Sequence, residues 1–103
     1  MSQFDNVSVI KKGNVFFDGK CVSHSVLFAD GTRKTVGVIM PGTLTFNVST
    51  PELMEITSGT CRVKIGDEPA FKTYAAGGQF SVAANSRFVI EYNEVVNYVC
   101  SFG

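Results

Sequence analysis

The chain has 103 residues, which is enough for a single domain with a modest core. Apolar residues make up 45% of the chain and charged residues 17%, a globular composition that excludes a disordered protein. Lys and Arg together number 9, as do Asp and Glu, so no basic excess favours nucleic acid or an anionic membrane as a partner.

The apolar segments, the N-terminus and the cysteines bear on location. The apolar runs are far too short to span a bilayer, and residues 1–6 lack the basic and apolar regions of a signal peptide. The three cysteines, Cys21, Cys61 and Cys100, show no C-x-x-C spacing. We therefore expect a cytoplasmic protein with reduced thiols, of which Cys61 and Cys100, in strand-like segments, are buried.

Short strand-like segments follow one another along the whole chain. The predicted strands are residues 7–10, 14–17, 21–28, 35–40, 43–48, 53–57, 60–65, 71–74, 79–82, 87–92 and 95–102. Turn signals separate many of them, and Asp30-Gly31 predicts a tight hairpin because both residues tolerate positive φ. No segment has the period of a long amphipathic helix. Such a series of short strands is typical of an all-β antiparallel barrel or jelly roll.

The segment 43–48 shows the clearest alternation. A period of two places Leu44, Phe46 and Val48 on one face of the strand and the intervening polar residues on the other.

Residues 41–52, together with Ser58-Gly59, resemble the first motif of a cupin barrel. Gly42 and Gly59 stand for its two glycines, and Glu52 stands where a cupin has its metal-binding Glu. The two histidine positions of that motif align with Thr45 and Asn47. The resemblance implies a single-domain cupin fold.

Residues 78–88 resemble the second cupin motif, again without its metal ligand. Ala83 replaces the Pro, Asn85 the Gly and Phe88 the third His. Because Thr, Asn and Phe are poor substitutes for imidazole ligands, we expect no metal site. His24, the only histidine, lies outside both motifs and is interpreted as a surface or strand residue.

A more specific resemblance covers most of the chain. Residues 14–20, NVFFDGK, resemble the N-x-Y-F-D-G-K opening of the pyrimidine/purine nucleoside phosphorylase family of small cupins. Five later segments of this chain resemble family segments in the same order. Residues 35–42 resemble T-V-G-V-M-x-P-G, residues 43–47 resemble Y-T-F-x, and residues 55–59 resemble E-x-x-S-G. Residues 80–88 resemble F-x-V-P-A-N-S-x-F, and residues 98–100 resemble the start of the closing Y-L-C-R-Y. We therefore expect a cupin domain at 14–103 and an N-terminal extension at 1–13.

The chain departs from the family pattern at three positions. Phe16 stands where a Tyr is common, Ala83 where the family has Pro, and Ser101 where an Arg is common. The last departure puts in doubt any anion contact that such an Arg makes.

The family resemblance implies an activity. A nucleoside, purine or pyrimidine, and inorganic phosphate as co-substrate would give the free base and ribose 1-phosphate, with no metal or organic cofactor. Phosphorolysis of this kind requires cationic or N–H donors for phosphate, a group that protonates the leaving base, and a carboxylate for the ribose hydroxyls. A broad choice of base favours binding by stacking.

Three residues are the candidates for catalysis. Glu52 stands at the former metal-ligand position. Arg87 follows the second motif and is either a phosphate ligand or an exposed hairpin cation. Glu91 shares a strand face with Arg87 by period two, so it could pair with Arg87 or bind ribose. Glu55 is a further carboxylate that could be a surface charge.

Three polar residues are candidates for substrate binding. Lys20, from a matched motif, is an alternative phosphate ligand. Thr45 and Asn47 are expected, like Glu52, to point into the mouth of the barrel, and the alternative for both is a solvated strand face.

Three aromatic residues complete the candidate site. Tyr98 could donate a hydrogen bond or stack, and Phe17 or Phe88 could stack on the base. For all three, packing in the core is the alternative.

The chain contains nine Phe, more than a small barrel core needs, which favours a symmetric homodimer. Two other hypotheses remain open. A non-catalytic cupin that binds a small metabolite is supported by the missing ligands and by Ser101. A metal-dependent oxygenase or isomerase is disfavoured by the residues at the ligand positions.

Overall fold

The structure is a computed structural model that describes residues 3–102. It consists almost entirely of strands. These are β1 (Ser8–Val9), β2 (Asn14–Phe16), β3 (Cys21–Leu27), β4 (Arg33–Ile39), β5 (Gly42–Val48), β6 (Glu52–Ser58), β7 (Thr60–Ile65), β8 (Lys72–Ala75), β9 (Gln79–Val82), β10 (Ser86–Tyr92) and β11 (Val96–Phe102). A 3-10 turn at Phe17–Gly19 links β2 to β3.

The strands form two sheets. Sheet A has the order β1-β3-β4-β11-β6-β9, with β2 also paired to β3, and sheet B has the order β5-β10-β7-β8. Every pairing within residues 3–102 is antiparallel. This arrangement confirms the predicted all-β antiparallel fold.

The core lies between the sheets, because alternate residues of each strand point inward. A row of aromatic rings crosses it. Phe46 stacks on Phe88 with ring centroids 5.0 Å apart and planes 10° apart, Phe80 meets the other side of Phe88 edge-on at 5.4 Å, and Tyr74 contacts Phe80 at 5.0 Å. Edge-to-face and offset stacked rings add about 0.5–1.5 kcal/mol per pair beyond the burial of their area.

Each predicted strand is present, with ends that differ by a few residues. The hairpin between β3 and β4 differs in its turn. Gly31 takes a positive φ of 89°, whereas Asp30 does not. The Gly31 amide donates to the Phe28 carbonyl at 3.0 Å, and the Asp30 carboxylate accepts from the Thr32 amide at 2.9 Å. The turn is therefore longer than the two-residue hairpin that was predicted. Of the two residues Asp30 and Gly31, only Gly31 adopts the left-handed region.

Part of the N-terminal segment joins sheet A. Ser8 and Val9 pair with Leu27 and Val26 of β3, and the Phe4 ring packs edge-on against another aromatic ring of the domain. The boundary at residue 13 stays a prediction. Within residues 3–102 no helix has the length and apolar character that a membrane crossing requires.

Candidate functional site

A cluster of polar and aromatic residues lies on the inner face of sheet A. Thr35 pairs with Ser25 on β3 and with Cys100 on β11, and Phe102 pairs with Glu52 on β6. Glu52 shares its strand face with the buried Met54 and Ile56. We call the following residues the inner cluster: Ser25, Arg33, Thr35, Glu52, Cys100 and Phe102.

The guanidinium of Arg33 is the cation of the inner cluster. Arg33 is the first residue of β4 and shares a face with the buried Thr35. Its Cζ lies 4.5 Å from the centroid of the Phe102 ring, and its Nη1 lies 3.5 Å from Ser25 Oγ. The ring face attracts the cation electrostatically, so these two neighbours restrict where the guanidinium can point.

Glu52 and Cys100 adjoin each other in the cluster. Burial raises the pKa of the Glu52 carboxyl, and a hydrogen bond with the Cys100 side chain opposes that rise. Burial also raises the pKa of the Cys100 thiol to about 12, with the Glu52 charge adding to the rise and Thr35 and Arg33 opposing it. Cys100 is therefore a thiol at neutral pH, able to donate a hydrogen bond but a poor nucleophile.

A second layer of side chains lies beneath the cluster. Tyr98 is buried, and its hydroxyl lies 3.5 Å from Cys21 Sγ. Burial raises the pKa of Tyr98, as does the contact with Cys21, whereas Ser23 lowers it. Gly37 pairs with Tyr98, and a Cβ on Gly37 would lie 2.6 Å from Tyr98 Cζ. Only glycine leaves room for the ring there.

The interior placement predicted for Thr45 and Asn47 is wrong. Both are exposed on the outer face of β5, because Leu44, Phe46 and Val48 take the inward positions. Alternate residues of the strand point to opposite faces. The face with the apolar side chains turns inward, because burying it removes more apolar area from water.

Arg87 and Glu91 also lie on the outer face of sheet B, since Phe88 and Ile90 of the same strand are buried. They do not pair with each other. Arg87 Nη2 lies 3.5 Å from the exposed Asp67 Oδ1, and Glu91 forms its ion pair with Arg62. Their catalytic roles stay predictions that this placement does not support.

The other sequence-predicted residues are dispersed. Lys20 is exposed at the start of β3. Phe88 is 1% exposed and packed between two other rings, so it has no free face for a base. Phe17 is 40% exposed, has a positive φ of 54° and meets Phe46 edge-on at 5.1 Å. Phe17 and the half-buried Phe46 and Tyr74 retain accessible surface, whereas Phe80 and Phe88 are buried.

Metal-ligating residues do not converge. Among residues 3–102 no three His, Cys, Asp or Glu side chains are placed to hold a metal ion. His24 lies on the outer face of sheet A, where its Nδ1 is 3.2 Å from the Ile10 carbonyl oxygen. All three cysteines are free and buried, as expected for Cys61 and Cys100.

A cavity of about 1100 Å³ lies away from the inner cluster. It is an open groove on the outer face of sheet A, where Val22, Val36, Val38 and Val99 contribute apolar surface and His24 adds a ring. The inner cluster is the stronger candidate because it brings a carboxylate, Glu52, and a guanidinium, Arg33, to one face of sheet A.

Sequence reasoning missed Arg33, Thr35 and Ser25. The predicted strand began at residue 35, two residues after β4 begins. Extending the period of two backwards from the apolar Ile39 through Gly37 and Thr35 would have placed Arg33 on the inner face. Only the fold shows that Ser25 and Glu52 lie beside it.

The fold and the inner cluster define a cupin-type protein whose barrel presents a carboxylate and a guanidinium rather than a histidine metal site. Clostridium difficile EutQ, at 9% identity, has the same cupin-type fold with a TM-score of 0.65 over 80% of this chain and 67% of EutQ. A protein of unknown function from Acinetobacter sp. ADP1 is much closer, with 54% identity, a TM-score of 0.95 and 98% coverage of both chains.

The sequence comparisons specify the family. A sequence model described as pyrimidine/purine nucleoside phosphorylase matches residues 11–102. The pyrimidine/purine nucleoside phosphorylase of Cupriavidus pinatubonensis strain JMP 134 is 63% identical over 100% of this chain and 98% of its own length. The chain belongs to the pyrimidine/purine nucleoside phosphorylase family. This finding confirms the resemblance seen in the sequence.

Proposed function

We propose that this protein is a nucleoside phosphorylase, a pentosyltransferase that cleaves purine and pyrimidine nucleosides with inorganic phosphate. The observation that carries the proposal is the match to relatives of that name over the whole chain at about 60% identity. We propose the inner cluster as the location of the activity. The carboxylate and guanidinium on one face of the barrel support this choice.

The reaction exchanges one bond for another. A phosphate oxygen forms a bond to the anomeric carbon while the glycosidic C–N bond breaks, and the electron pair of that bond goes to the base, which takes up a proton. The transition state has oxocarbenium character, so a nearby carboxylate stabilises it electrostatically. Glu52 is the carboxylate that the inner face offers, and its ionised form can also accept hydrogen bonds from the ribose hydroxyls.

Base binding is proposed to involve Phe17 and Phe46. Aromatic stacking is worth about 1–3 kcal/mol per base and tolerates every base, which suits a broad substrate range. Phe17 and Phe46 are edge-to-face neighbours, and both keep exposed surface.

We also propose that the reaction needs no metal or organic cofactor. The residues at the former ligand positions, Thr45, Asn47 and Phe88, support this, since they are poor ligands and Phe88 is buried among rings. Three buried free thiols are consistent with a cytoplasmic location.

A homodimer is the proposed assembly. Val38, Met40 and Leu53 are among the large apolar side chains left exposed, and association would remove them from water. Light scattering after size exclusion would give the mass, and a species of one chain would contradict the proposal.

The alternative function is a cupin that binds a small metabolite without catalysis. One of its supports weakens in the structure. Ser101, where an Arg is common in the family, lies on β11 between Cys100 and Phe102 and so faces away from the inner cluster. The missing Arg therefore removes no charge from the inner face.

Release of free base from uridine and inosine, with and without phosphate, tests the proposal. Protein treated with a chelator should release base only when phosphate is present, together with an equal amount of ribose 1-phosphate. A Glu52→Gln variant purified in the same way controls for contaminating phosphorylases. No release from either nucleoside would support the binding protein instead, and release without phosphate would indicate a hydrolase.

A further inference from the structure

The three arginines of the chain differ in their partners. Arg62 forms an ion pair with Glu91, and Arg87 lies 3.5 Å from a carboxylate oxygen of Asp67. Arg33 has no carboxylate oxygen within 4 Å among residues 3–102. Within the described residues, Arg33 is therefore the arginine whose guanidinium has no carboxylate partner.

We propose that Arg33 binds the phosphate co-substrate on the inner face of the barrel. The inference rests on the proposed function for the identity of the anion. Arg33 replaces Arg87 and Lys20 in that role. All three side chains are exposed, but that of Arg33 contacts Phe102 of the inner cluster, whereas the other two lie away from it.

The neighbours of Arg33 restrict the orientation of the guanidinium and leave most of its N–H hydrogen-bond donors unused. The Phe102 ring contacts the face of the guanidinium at 4.5 Å, and Ser25 Oγ lies near one nitrogen. An arginine has five N–H donors in a planar fork, so most of them stay free for the oxygens of a phosphate. Stacking also fixes the plane of the fork, which lowers the entropy lost when an anion binds.

The spacing between Arg33 and Glu52 fits a phosphate bound by Arg33 next to a ribose bound by Glu52. Lys34 pairs with Ser101, so the next residues in that antiparallel register are Arg33 and Phe102. Phe102 in turn pairs with Glu52. Arg33 and Glu52 thus lie two strand spacings apart, or about 10 Å between backbones. Side chains as long as those of Arg and Glu can reach a phosphate and a ribose bound side by side over that distance.

Thr35 supplies a further polar group beside the proposed phosphate. Its side chain is buried two residues along β4 from Arg33, and it adjoins the Cys100 thiol. A hydroxyl can donate to a phosphate oxygen. The carboxylate of Glu52 repels an anion, which favours placing the phosphate on the Arg33 side of Phe102.

The test compares four variants in buffer free of phosphate and sulfate. Arg33→Gln removes the charge, and Arg33→Lys keeps it but loses the fork. Lys64→Gln is the matched control, since it removes one positive charge from the outer face of a barrel strand. Arg87→Gln tests the competing assignment. Circular dichroism confirms that each variant folds.

Two quantities are measured for each variant: the Kd of inorganic phosphate by calorimetry, and the KM for phosphate in uridine phosphorolysis. We expect Arg33→Gln to raise both at least tenfold and to change the KM for uridine by less than threefold. Arg33→Lys should be intermediate, because a lysine binds phosphate as a point charge. Lys64→Gln should stay within twofold of the parent protein in both quantities.

The inference and the proposed function can fail separately. If uridine is cleaved but Arg33→Gln and Arg33→Lys leave the KM and Kd for phosphate within twofold, Arg33 is not the phosphate ligand. The same holds if Arg87→Gln alone raises them. If phosphate binds through Arg33 but no nucleoside is cleaved, the anion site stands and the phosphorylase proposal falls.

Discussion

The inner face of sheet A and the outer face of sheet B carry similar residue types in different surroundings. The inner face holds Arg33 and Glu52 beside buried hydroxyl and thiol groups. The outer face holds Arg62 and Glu91 in a direct ion pair, with Arg87 near an exposed carboxylate. Charges on the outer face are paired or solvated. On the inner face Glu52 is half-buried, and a phenyl ring separates it from the exposed Arg33.

The comparison shows why residue type alone does not identify a site. On the outer face water screens each charge, so an ion pair there contributes about 0–1 kcal/mol. On the inner face burial raises the pKa of Glu52 and of Cys100, and each electrostatic contact is stronger because the surroundings are less polar. A substrate that replaces the missing partners therefore gains more from the inner face.

The largest effect on activity is expected when the carboxylate of each face is replaced by an amide in a separate variant. Glu52→Gln should lower kcat/KM for uridine by about 100-fold or more, since removing one electrostatic contact to a developing charge costs about that much. Glu91→Gln on the outer face should have a much smaller effect. Steady-state kinetics of the two variants decides the matter, and an equal loss in both would move the site to the outer face.

The next effect concerns the layer beneath the inner cluster. Gly37→Ala places a Cβ 2.6 Å from Tyr98 Cζ, and overpacking of this kind costs about 1–3 kcal/mol. The matched control is Gly13→Ala, which should cost less because its Cβ would lie 3.2 Å from the nearest atom, Val22 Cγ1. Urea unfolding measures both. Equal stability of the two variants would show that the Tyr98 ring does not occupy the space above Gly37.

Much of the fold follows from the sequence. Turn residues and the period of two predicted all eleven strands, because both signals are local. The alternation of β5 also gave its inward face correctly, as Leu44 and Val48 are buried. The placement of Thr45 and Asn47 in the pocket went against that alternation and rested on an analogy with metal-binding cupins.

The site itself is less accessible to sequence reasoning. Glu52 was a candidate because of its place in a motif, and the structure puts it on the inner face. Arg33 lies 19 positions earlier in the chain, and no local pattern connects the two. They lie on the same face of sheet A because β11 pairs with both β4 and β6. That order of strands is a property of the whole fold.

The pH dependence of stability sharpens the contrast between the faces. Because burial raises the pKa of Glu52 in the folded state, ionising this group disfavours folding. The stability that its neutral form supports is full below the unfolded pKa and is lost as the pH rises through the folded value. Glu52→Gln avoids this loss, so we expect the variant to melt higher than the parent protein at pH 7.

Thermal melts of both proteins between pH 4 and pH 8 provide the measurement. The difference in melting temperature should shrink toward the acid end, where the parent carboxyl is protonated. A difference that stays constant with pH would mean that Glu52 is as well solvated when folded as when unfolded.

The smallest effect is expected where the outer-face charges are most exposed. The Arg87 side chain is 55% exposed and that of Asp67 99%, at a separation of 3.5 Å. Screening by water and salt leaves such a pair little net energy. Arg87→Gln should therefore change the melting temperature by less than about 3 °C, and Asp67→Asn should do the same. A double-mutant cycle of the two, repeated at high salt, measures the coupling. A loss well above this limit would mean that the outer face of sheet B is organised as tightly as the inner cluster, and the contrast between the two faces would no longer indicate which of them binds substrate.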